Sequence, residues 1–391
     1  MNTRSFSITD IGLKRERNED ACLIDEQLGL YLVCDGMGGH AAGHVASSMA
    51  TTAIVEHLRV HKSAILTARQ TPTGYFALTQ LVSDSVNYAC HAIYGKACSD
   101  RELAGMGTTL TMLLLVDDKA VMAHVGDSRL YLYRKGGLHH LSNDHTLLNQ
   151  LLVGPDADTV DPSMKHILTR AVGIQPGVIV DTLLFDVHPG DRFLLCTDGL
   201  SNCFEDDAQA AGLVSDTSLD GISNLLLNHA LSRGGNDNIT AVLVDVEGHD
   251  VSEDAVEAEG QLELLTQVPL FSKLSLARQL AITEIADVRE FAAGETVLEH
   301  NAKCDGLHLV VDGQLRRSGF LDSVKLTRGS VFGEASLVRP KKSSIEIIAS
   351  EDSRVLVIAR DDFERLLVRR PKLGRRLLKR LVTQFAAEKP V

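Results

Sequence analysis

The sequence predicts an α+β fold class, with antiparallel sheets flanked by helices in a first domain and a β-roll with helices at the C-terminal end. Three observations lead to this prediction. The chain has 391 residues, more than the roughly 250 to 300 at which a single hydrophobic core usually stops growing. Apolar strand-length runs are joined by hairpin signals such as Asp117-Asp118. Near the C-terminus, short strands between glycines precede a helical stretch at 361–385.

The order of elements in the first domain is mixed. Helix-length segments at 42–58 and 78–97 alternate with strand-length runs such as LYLVCDG, TLTMLLLV, AVMAHVG, RLYLYRKG and DRFLLCTDG. The hairpins between these runs favour antiparallel sheets over a doubly wound parallel sheet. The second domain changes pattern, because glycines at 294, 306, 313, 319 and 329 separate much shorter strands.

The boundary between the two domains is predicted in an acidic segment. Residues 247–259, EGHDVSEDAVEAE, contain six acidic residues, no lysine or arginine and no aromatic residue. This composition is typical of a solvated linker. We therefore predict domains at residues 1–247 and 262–391, joined by a linker at 248–261.

Composition excludes several classes of protein. Hydrophobic residues make up 44% and charged residues 23%, which is typical of a folded globular chain. The net charge of −13 disfavours a nucleic-acid partner. The seven cysteines never form a CxxC pair, which argues against a disulfide framework or a structural zinc site. No apolar run approaches the roughly 20 residues of a membrane span, and the polar N-terminus predicts a cytoplasmic protein.

Acidic residues stand at the ends of predicted strands. The runs at 30–34 and 193–197 end in Asp35-Gly36 and Asp198-Gly199, a third ends at Asp127, and Asp237 precedes a strand. Any one Asp-Gly pair is more simply explained as turn chemistry. Four carboxylates that converge would repel one another unless a cation lies between them. The sequence therefore predicts a metal site.

The donor types indicate which metal. Hard divalent ions take carboxylate, carbonyl and water oxygens, so Mn²⁺ or Mg²⁺ fits, whereas zinc would need clustered cysteine or histidine. Two such ions can hold both ends of a phosphoryl displacement. Arg15, in the segment RERNED, can bind a phosphoryl group with its planar guanidinium, although an exposed charged loop is an alternative reading of that segment.

Up to about residue 246, the sequence resembles the bacterial form of the metal-dependent protein phosphatases of the 2C type. The resemblance rests on separate motifs in the family's order. These are RERNED at 15–20, DGMGGHAAG at 35–43, GTT at 107–109, GDSR at 126–129, LTRAVG at 168–173, CTDGL at 196–200 and GGNDNIT at 234–240.

The resemblance implies two antiparallel sheets packed as a β-sandwich between helices, with a metal cleft at one end. It implies a hydrolase for phosphoserine and phosphothreonine in proteins, in which a water whose pKa is lowered by the metals attacks phosphorus directly. It assigns Asp35 as a bridge between two metals, the Gly36 carbonyl to one of them, and Asp198 and Asp237 to the other. A third ion would lie between Asp127 and Asp198.

The remaining roles also follow from the resemblance. Glu19 and Asp20 would order metal-bound waters, Arg15 would hold the substrate phosphate, and residues 142–173 would form a flap beside the cleft. Some members of the family have a histidine where this chain has Met37, so the resemblance does not identify the general acid. His40 is a candidate for that role, and the alternative is that His40 is a local structural histidine.

Two rival phosphatase chemistries would require other sequence patterns. No cysteine is followed by an arginine at the spacing of a cysteine-phosphatase loop. Residues 156–160, DADTV, match the aspartyl-nucleophile pattern DxDx[TV], but Gly154-Pro155 interrupts the strand that such a nucleophile needs. We interpret this match as coincidental.

From about 262 to 385 the chain resembles a cyclic nucleotide-binding domain. The resemblance rests on VPLFSKLS at 268–275, AAGETVL at 292–298, DGLHLVVDGQL at 305–315 and RGSVFGEASLV at 328–338. In that family a short helix after FGE presents amides to the cyclic phosphate, and Gly333 and Glu334 match those positions. Where the family has its phosphate-binding arginine this chain has Ser343, preceded by Lys341 and Lys342.

The missing guanidinium predicts weak nucleotide binding, because a charge-assisted pair contributes roughly 1.5–3 kcal/mol. Either Lys342 and its neighbour replace the arginine, or the domain serves dimerisation, docking or intramolecular control. Asn301 replaces a usual turn glycine, which asparagine tolerates at positive φ.

The sequence thus predicts a Mn²⁺- or Mg²⁺-dependent serine/threonine phosphatase, with two metal ions and possible room for a third, whose activity or location is modulated by its second domain. Its expected partners are a phosphoprotein substrate, a serine/threonine kinase that it opposes, and a second copy of the chain through the C-terminal domain. No nucleic acid and no membrane span are expected. The alternative is a noncatalytic scaffold that uses both domains for binding.

Overall fold

The computed structural model describes residues 2–38, 42–68, 74–151, 164, 166–215, 218–248, 253–318, 323–339 and 341–387. Two compact units divide the chain, Met1–Ala255 and Val256–Val391. Among the described residues, no helix is both long enough and apolar enough to cross a bilayer.

The first unit contains two antiparallel sheets. One has the order β1-β11-β10-β7-β8 and the other β2-β3-β5-β6-β9, with the short β4 beside β3. These strands are β1 (Asn2–Asp10), β2 (Asp20–Asp25), β3 (Leu30–Met37), β4 (Gly107–Thr108), β5 (Leu110–Val116), β6 (Lys119–Val125), β7 (Arg129–Arg134), β8 (Gly137–His140), β9 (Asp181–Asp186), β10 (Arg192–Cys196) and β11 (Ile239–Glu247).

The predicted hairpin between β5 and β6 is confirmed. Val116 pairs with Lys119, so two residues form the turn. The first of them, Asp117, has φ of 54°, which aspartate tolerates better than most residues.

Helices cover the outer faces of both sheets. Strand pairs such as β11 with β2, β10 with β3 and β5 with β7 contact each other between the sheets. Apolar residues of α1 and α3 pack on the β3–β5–β6 side, and residues of α6 and α7 pack on the β10–β11 side. The predicted sandwich flanked by helices is therefore confirmed. The helices are α1 (Ala42–Val60), α2 (Lys62–Thr67), α3 (Gly74–Ser99), α4 (Leu147–Leu151), α5 (Asp198–Ser201), α6 (Asp207–Val214) and α7 (Leu219–Ser232).

Helix α8 (Glu253–Gln267) begins inside the acidic segment that composition indicates as a linker. Leu264 and Leu265 on this helix are buried, and Glu257 pairs with Arg354 at 2.8 Å. Helix α8 therefore begins within the predicted linker, and the second unit begins at Val256, inside the acidic segment. The composition of the segment did not indicate this helix, because the leucines that anchor it follow the acidic residues.

The second unit is a β-roll with helices. Its sheets have the orders β12-β21-β15-β18 and β13-β20-β16-β17, with β14 paired to β19. The core between the sheets includes Val310, Leu315, Ile347 and Val355. The strands are β12 (Ala286–Phe291), β13 (Thr296–Leu298), β14 (Lys303–Cys304), β15 (Gly306–Asp312), β16 (Leu315–Ser318), β17 (Ser323–Leu326), β18 (Val331–Phe332), β19 (Lys341–Lys342), β20 (Glu346–Ala349) and β21 (Ser353–Ala359).

The predicted helical stretch at 361–385 is two helices. After α9 (Leu276–Thr283), the chain forms α10 (Arg360–Arg369) and α11 (Pro371–Ala387). Arg370 has φ of −126° and ψ of 71°, outside the helical region. Proline disfavours the helical conformation in the residue before it, so Pro371 separates the two helices. The predicted positive φ at Asn301 is confirmed at 63°.

Candidate functional site

One cleft of the first unit gathers the predicted acidic residues. Its volume is about 1040 Å³, and its lining includes Arg15, Asp35, Asp127, Asp198 and Asp237. These residues are separated by up to 222 positions in sequence. The structure therefore brings together the four carboxylates and the guanidinium that strand-end positions and motifs indicated.

The second sheet positions Asp20 and Asp35. These residues are directly opposite each other in the β2–β3 register, so their side chains share one face of the sheet. Gly36 must be a glycine, because a Cβ there would lie 2.1 Å from the Gly43 carbonyl oxygen and 2.5 Å from that of Glu19. A Cβ on Gly43 would likewise lie 2.9 Å from Cδ of Glu19, which brings the Glu19 carboxyl beside this turn.

The first sheet positions Asp198 and Asp237. Asp198 begins α5 directly after β10, and Asp237 precedes β11, the neighbour of β10. A Cβ on Gly199 would lie 2.0 Å from the Asn238 carbonyl oxygen and 3.3 Å from Cβ of Asp237. The glycine therefore allows the two acidic turns to approach closely.

Three polar side chains hold this frame together, and none was predicted. The Asn238 amide donates to the Ile11 and Arg17 carbonyls at 3.0 and 2.9 Å, and its oxygen accepts from the Glu19 amide at 2.8 Å. The Thr197 hydroxyl donates to Oδ2 of Asp20 at 2.8 Å. The Thr109 hydroxyl accepts from the Asp35 amide at 2.9 Å. All three residues lie inside motifs that the sequence analysis quotes, and this was the signal that could have identified them.

The gathered carboxyls resist ionisation. Burial raises the pKa of Asp20 to about 7. Burial also raises the pKa of Asp127 to about 7, with a further contribution from the charge of Asp198. The pKa of Asp35 lies well above its usual range because of burial and the charges of Asp20, Asp198, Asp127 and Asp237. Burial and Asp237 raise the pKa of Asp198.

The donor set fits hard cations. Among the described residues, Oδ1 of Asp20 and Oδ1 of Asp198 are buried without a hydrogen-bond partner, and such atoms normally have one. Oxygen ligands are those that Mg²⁺ and Mn²⁺ prefer. Within the described ranges, no three His, Cys, Asp or Glu side chains already stand around a common point as metal ligands would. The described residues therefore suit hard cations by the type of their donor atoms and by their charge, although they do not form a complete coordination shell.

Arg15 lies at the open side of this cluster. Its Nη2 donates to Oδ2 of Asp237 at 2.6 Å, and 48% of its side chain stays exposed. The guanidinium is therefore both anchored and accessible, as phosphate binding would require. Met37 and His166 also line the cleft. His166 was not predicted, whereas His40 and the DADTV match at 156–160 lie outside the described residues.

His145 connects the Asp127 turn with the described part of the flap. Its backbone amide donates to the Gly126 carbonyl at 2.6 Å, and its carbonyl accepts from the Thr169 amide at 2.8 Å. The Gly126 amide donates to Nδ1 of His145 at 3.1 Å, which leaves the proton on Nε2, 3.1 Å from Asp181. Asp181 also accepts from Arg170 at 2.7 Å. No sequence motif indicated this group, because its members come from separate segments.

In the second unit the predicted nucleotide residues lie on two segments, one at Gly333 and Glu334 and the other at Lys342 and Ser343. Gly333 has φ of 84° and precedes a short 3-10 helix at Glu334–Leu337, as the FGE resemblance implied. Ser343 is buried, and its hydroxyl donates to the Ile345 carbonyl at 2.7 Å. Lys342 is exposed and pairs with Lys303 across β14 and β19. The Ser343 hydroxyl is thus used within its own turn.

Comparisons with known proteins agree with this geometry. The family model described as protein phosphatase 2C matches residues 14–232, and the model of the cyclic nucleotide-binding domain matches residues 288–370. The serine/threonine phosphatase stp of Listeria welshimeri is 36% identical over 243 residues, 61% of this chain and 93% of that protein. Protein phosphatase PhpP of Streptococcus pneumoniae is 32% identical over 253 residues, 62% and 97% of the two chains.

The chain is also similar to solved structures of serine/threonine phosphatases. The Mycobacterium tuberculosis serine/threonine phosphatase PstP/Ppp has a TM-score of 0.54 and 30% identity, covering 63% of this chain and 99% of that chain. The PstP catalytic domain in complex with two manganese ions has a TM-score of 0.54 and 32% identity, with coverage of 63% and 99%.

The first prediction concerns the repulsion at the cluster. Because the pKa of Asp127 is raised, its ionisation destabilises the fold progressively as pH rises from about 4 to about 7. In EDTA at pH 8, Asp127→Asn should therefore be more stable than wild type by about 1–3 kcal/mol, and the difference should vanish near pH 4. Urea unfolding measures both values.

With Mn²⁺ added at pH 8 the order should reverse, because the wild type gains more binding energy than the variant. Asp84→Asn, an exposed site on α3, serves as the control and should match wild type. A variant that is less stable than wild type in EDTA at pH 8 would contradict repulsion at this site.

The second prediction concerns Asp181. Burial raises the pKa of this group, but His145 and Arg170 outweigh burial and lower it overall. Its stabilising effect is therefore complete above about pH 4 and is lost as pH falls further. Asp181→Asn should destabilise the first unit by about 1–3 kcal/mol at pH 7. The asparagine side chain has one acceptor oxygen, so its NH2 group must face either His145 or Arg170, which are both donors. This difference should shrink below about pH 4.

Urea unfolding from pH 3 to pH 7 tests this prediction. Glu56→Gln, an isosteric change at an exposed position of α1, should have no effect at any of these pH values. A loss of stability in Asp181→Asn that does not vary with pH would show that the ion pair is not its cause.

Proposed function

The chain belongs to the protein phosphatase 2C family, and on that premise we propose that it hydrolyses phosphoserine and phosphothreonine in proteins with Mn²⁺ or Mg²⁺ held at the acidic cluster. The observation that supports this most is the convergence of four aspartates and Arg15 on one cleft. A cluster that destabilises the fold by its own repulsion is explained by a ligand that neutralises it.

The proposed ligand set follows the strand ends. Asp35 would bridge two ions, with the Gly36 carbonyl on one and Asp198 and Asp237 on the other. Asp127 and Asp198 would hold a third ion. The buried, unpartnered Oδ1 of Asp198 supports its place in this set, and that of Asp20 supports its proposed role in ordering water.

The two-manganese complex of the PstP catalytic domain supports a pair of ions here. The donors available to them in this chain are oxygens. Either Mn²⁺ or Mg²⁺ satisfies that chemistry.

When bound, hard divalent cations lower the pKa of a water and offset negative charge on the phosphoryl group. Arg15 would bind two phosphoryl oxygens through its guanidinium while Asp237 fixes its orientation. Glu19 and Asp20 would orient water by hydrogen bonding, since both lie beside the Asp35-Gly36 turn. Asn238, Thr197 and Thr109 hold these groups in place. No covalent enzyme intermediate is required.

The second unit is proposed to modulate activity or location without binding a cyclic nucleotide tightly. The buried Ser343 cannot supply the charge of an arginine, and its hydroxyl is bonded to Ile345. Lys342 is exposed, so its ammonium would have to turn inward to replace the guanidinium. Dimerisation, docking or intramolecular control are then the roles that fit such a domain.

The proposed setting is cytoplasmic, where the enzyme would oppose a serine/threonine kinase by dephosphorylating the same protein substrates. These proposals rest on the phosphatase chemistry and on the relatives named above. The scaffold alternative is disfavoured, since a binding module has no need of a self-repelling acidic cleft.

The third prediction tests catalysis itself. Purified wild type should hydrolyse p-nitrophenyl phosphate and a phosphothreonine peptide in Mn²⁺ or Mg²⁺. Asp198→Ala should lower kcat by about 100-fold or more, because it removes an oxygen shared by two proposed ions. Asp84→Ala, an exposed control, should keep the wild-type rate. Equal background rates in wild type and Asp198→Ala would favour the scaffold.

The fourth prediction concerns the nucleotide site. Calorimetric titration of wild type with cyclic AMP or cyclic GMP should give no submicromolar Kd. Ser343→Arg should improve Kd by about tenfold or more, since a guanidinium–phosphate pair contributes roughly 1.5–3 kcal/mol. Ser323→Arg, on an exposed strand of the same unit, controls for added charge. Tight binding by wild type would show that a lysine replaces the missing arginine.

A further inference from the structure

The cleft has an apolar wall as well as an acidic end. Met37, Ile174, Val178 and Ile179 line the same cavity as the aspartates. Ile174 is 42% exposed and Ile179 is 72% exposed. Single exposed apolar side chains are common, whereas a group of them beside a cleft is typical of a binding surface. The apolar wall, defined by these four residues, is therefore accessible to whatever occupies the cleft.

The apolar wall is held rigidly by helix α3. The Gly173 amide donates to Sγ of Cys90 at 3.3 Å, and the Cys90 thiol donates to the Gln175 carbonyl at 3.2 Å. The Val178 amide donates to Oδ1 of Asn87 at 3.0 Å. These contacts fix the backbone on both sides of Ile174. A preformed wall loses little conformational entropy when it binds a ligand.

The apolar wall also reaches the acidic end. A Cβ on Gly107 would lie 2.8 Å from Cδ1 of Ile174 and 3.1 Å from Cε of Met37, so both side chains cover this glycine. Met37 follows Asp35 by two residues on β3. A substrate whose phosphoryl group lies at the aspartates would therefore have its neighbouring residues along the apolar wall.

The charges on this side of the cleft do not favour an acidic residue next to the phosphorylated residue of a substrate. Arg170 lines the cavity, but Asp181 neutralises it at 2.7 Å. The cavity, at about 1040 Å³, lies at the upper end of the roughly 300–1,000 Å³ typical of ligand clefts. There is room beside a phosphorylated residue for a large side chain.

We propose that Met37, Ile174, Val178 and Ile179 form an apolar subsite, which binds a bulky apolar side chain close in sequence to the phosphorylated residue of the substrate protein. This inference rests on the proposed phosphatase function. It adds a preference that the reaction itself does not require, because the chemistry needs only the phosphoryl group.

The test uses phosphothreonine peptides that carry leucine at one of the two positions on either side and serine at the others. In full-length enzyme with Mn²⁺, at least one leucine peptide should have a kcat/KM about tenfold above the all-serine peptide, as expected for one apolar group in a pocket. Aspartate at the same position should lower kcat/KM below that of serine.

The variants Ile174→Ser and Ile179→Ser should each bring the leucine-to-serine ratio of kcat/KM toward one. Because the readout is a ratio, a general loss of activity does not imitate this result. Ile179 is the more exposed residue and tests the idea if Ile174→Ser folds poorly. Leu225→Ser, at 45% exposure on α7, is the control and should keep the wild-type ratio.

Two outcomes overturn the subsite alone: leucine-to-serine ratios near one at all four positions in an enzyme that hydrolyses p-nitrophenyl phosphate, or a wild-type ratio retained in both isoleucine variants. An enzyme that hydrolyses neither p-nitrophenyl phosphate nor any peptide overturns the phosphatase proposal and the subsite together. The two failures are therefore distinguishable.

Discussion

Mutual repulsion among partly buried carboxylates is the constraint around which the first unit is organised. Asp35 experiences the charges of four other aspartates in addition to its own burial. Two oxygens of this group, on Asp20 and Asp198, are buried without a partner. A fold optimised for stability alone would not place them there. The arrangement is consistent with a protein whose acidic end is completed by cations.

Packing and hydrogen bonds in the rest of the unit hold these carboxylates in place despite their repulsion. The sandwich supplies rigid strand ends, glycines allow two acidic turns to approach within contact of each other, and neutral hydrogen-bonding side chains fix the loops. Asn238 alone connects three segments, through bonds to Ile11, Arg17 and Glu19. Beyond this frame, His145 and Arg170 both contact Asp181, and the Gly126 amide donates to His145. These contacts tie the turn of Asp127 to the first residue of β9.

The second unit combines the backbone turn of its domain family with a neutral side chain at the position where a positive charge was expected. Gly333 keeps the left-handed turn and the short helix that would face a phosphate. The position that should bring positive charge instead holds a buried serine bonded within its own turn. The backbone turn of the domain family is therefore present, whereas the positive charge of the family's arginine is absent at residue 343.

The sequence by itself determined the fold class, the acidic positions and the absent arginine, because strand ends, Asp-Gly turns and motif order are local patterns. It missed Asn238, Thr109 and Thr197 as supports, and it gave no sign of the His145–Asp181 contact or of the apolar wall. It did not indicate that α8 begins at Glu253, inside the acidic segment. Only the tertiary structure decided these features: they depend on contacts between segments as far as 227 residues apart, and the distance between such segments is set by packing, which no local pattern records.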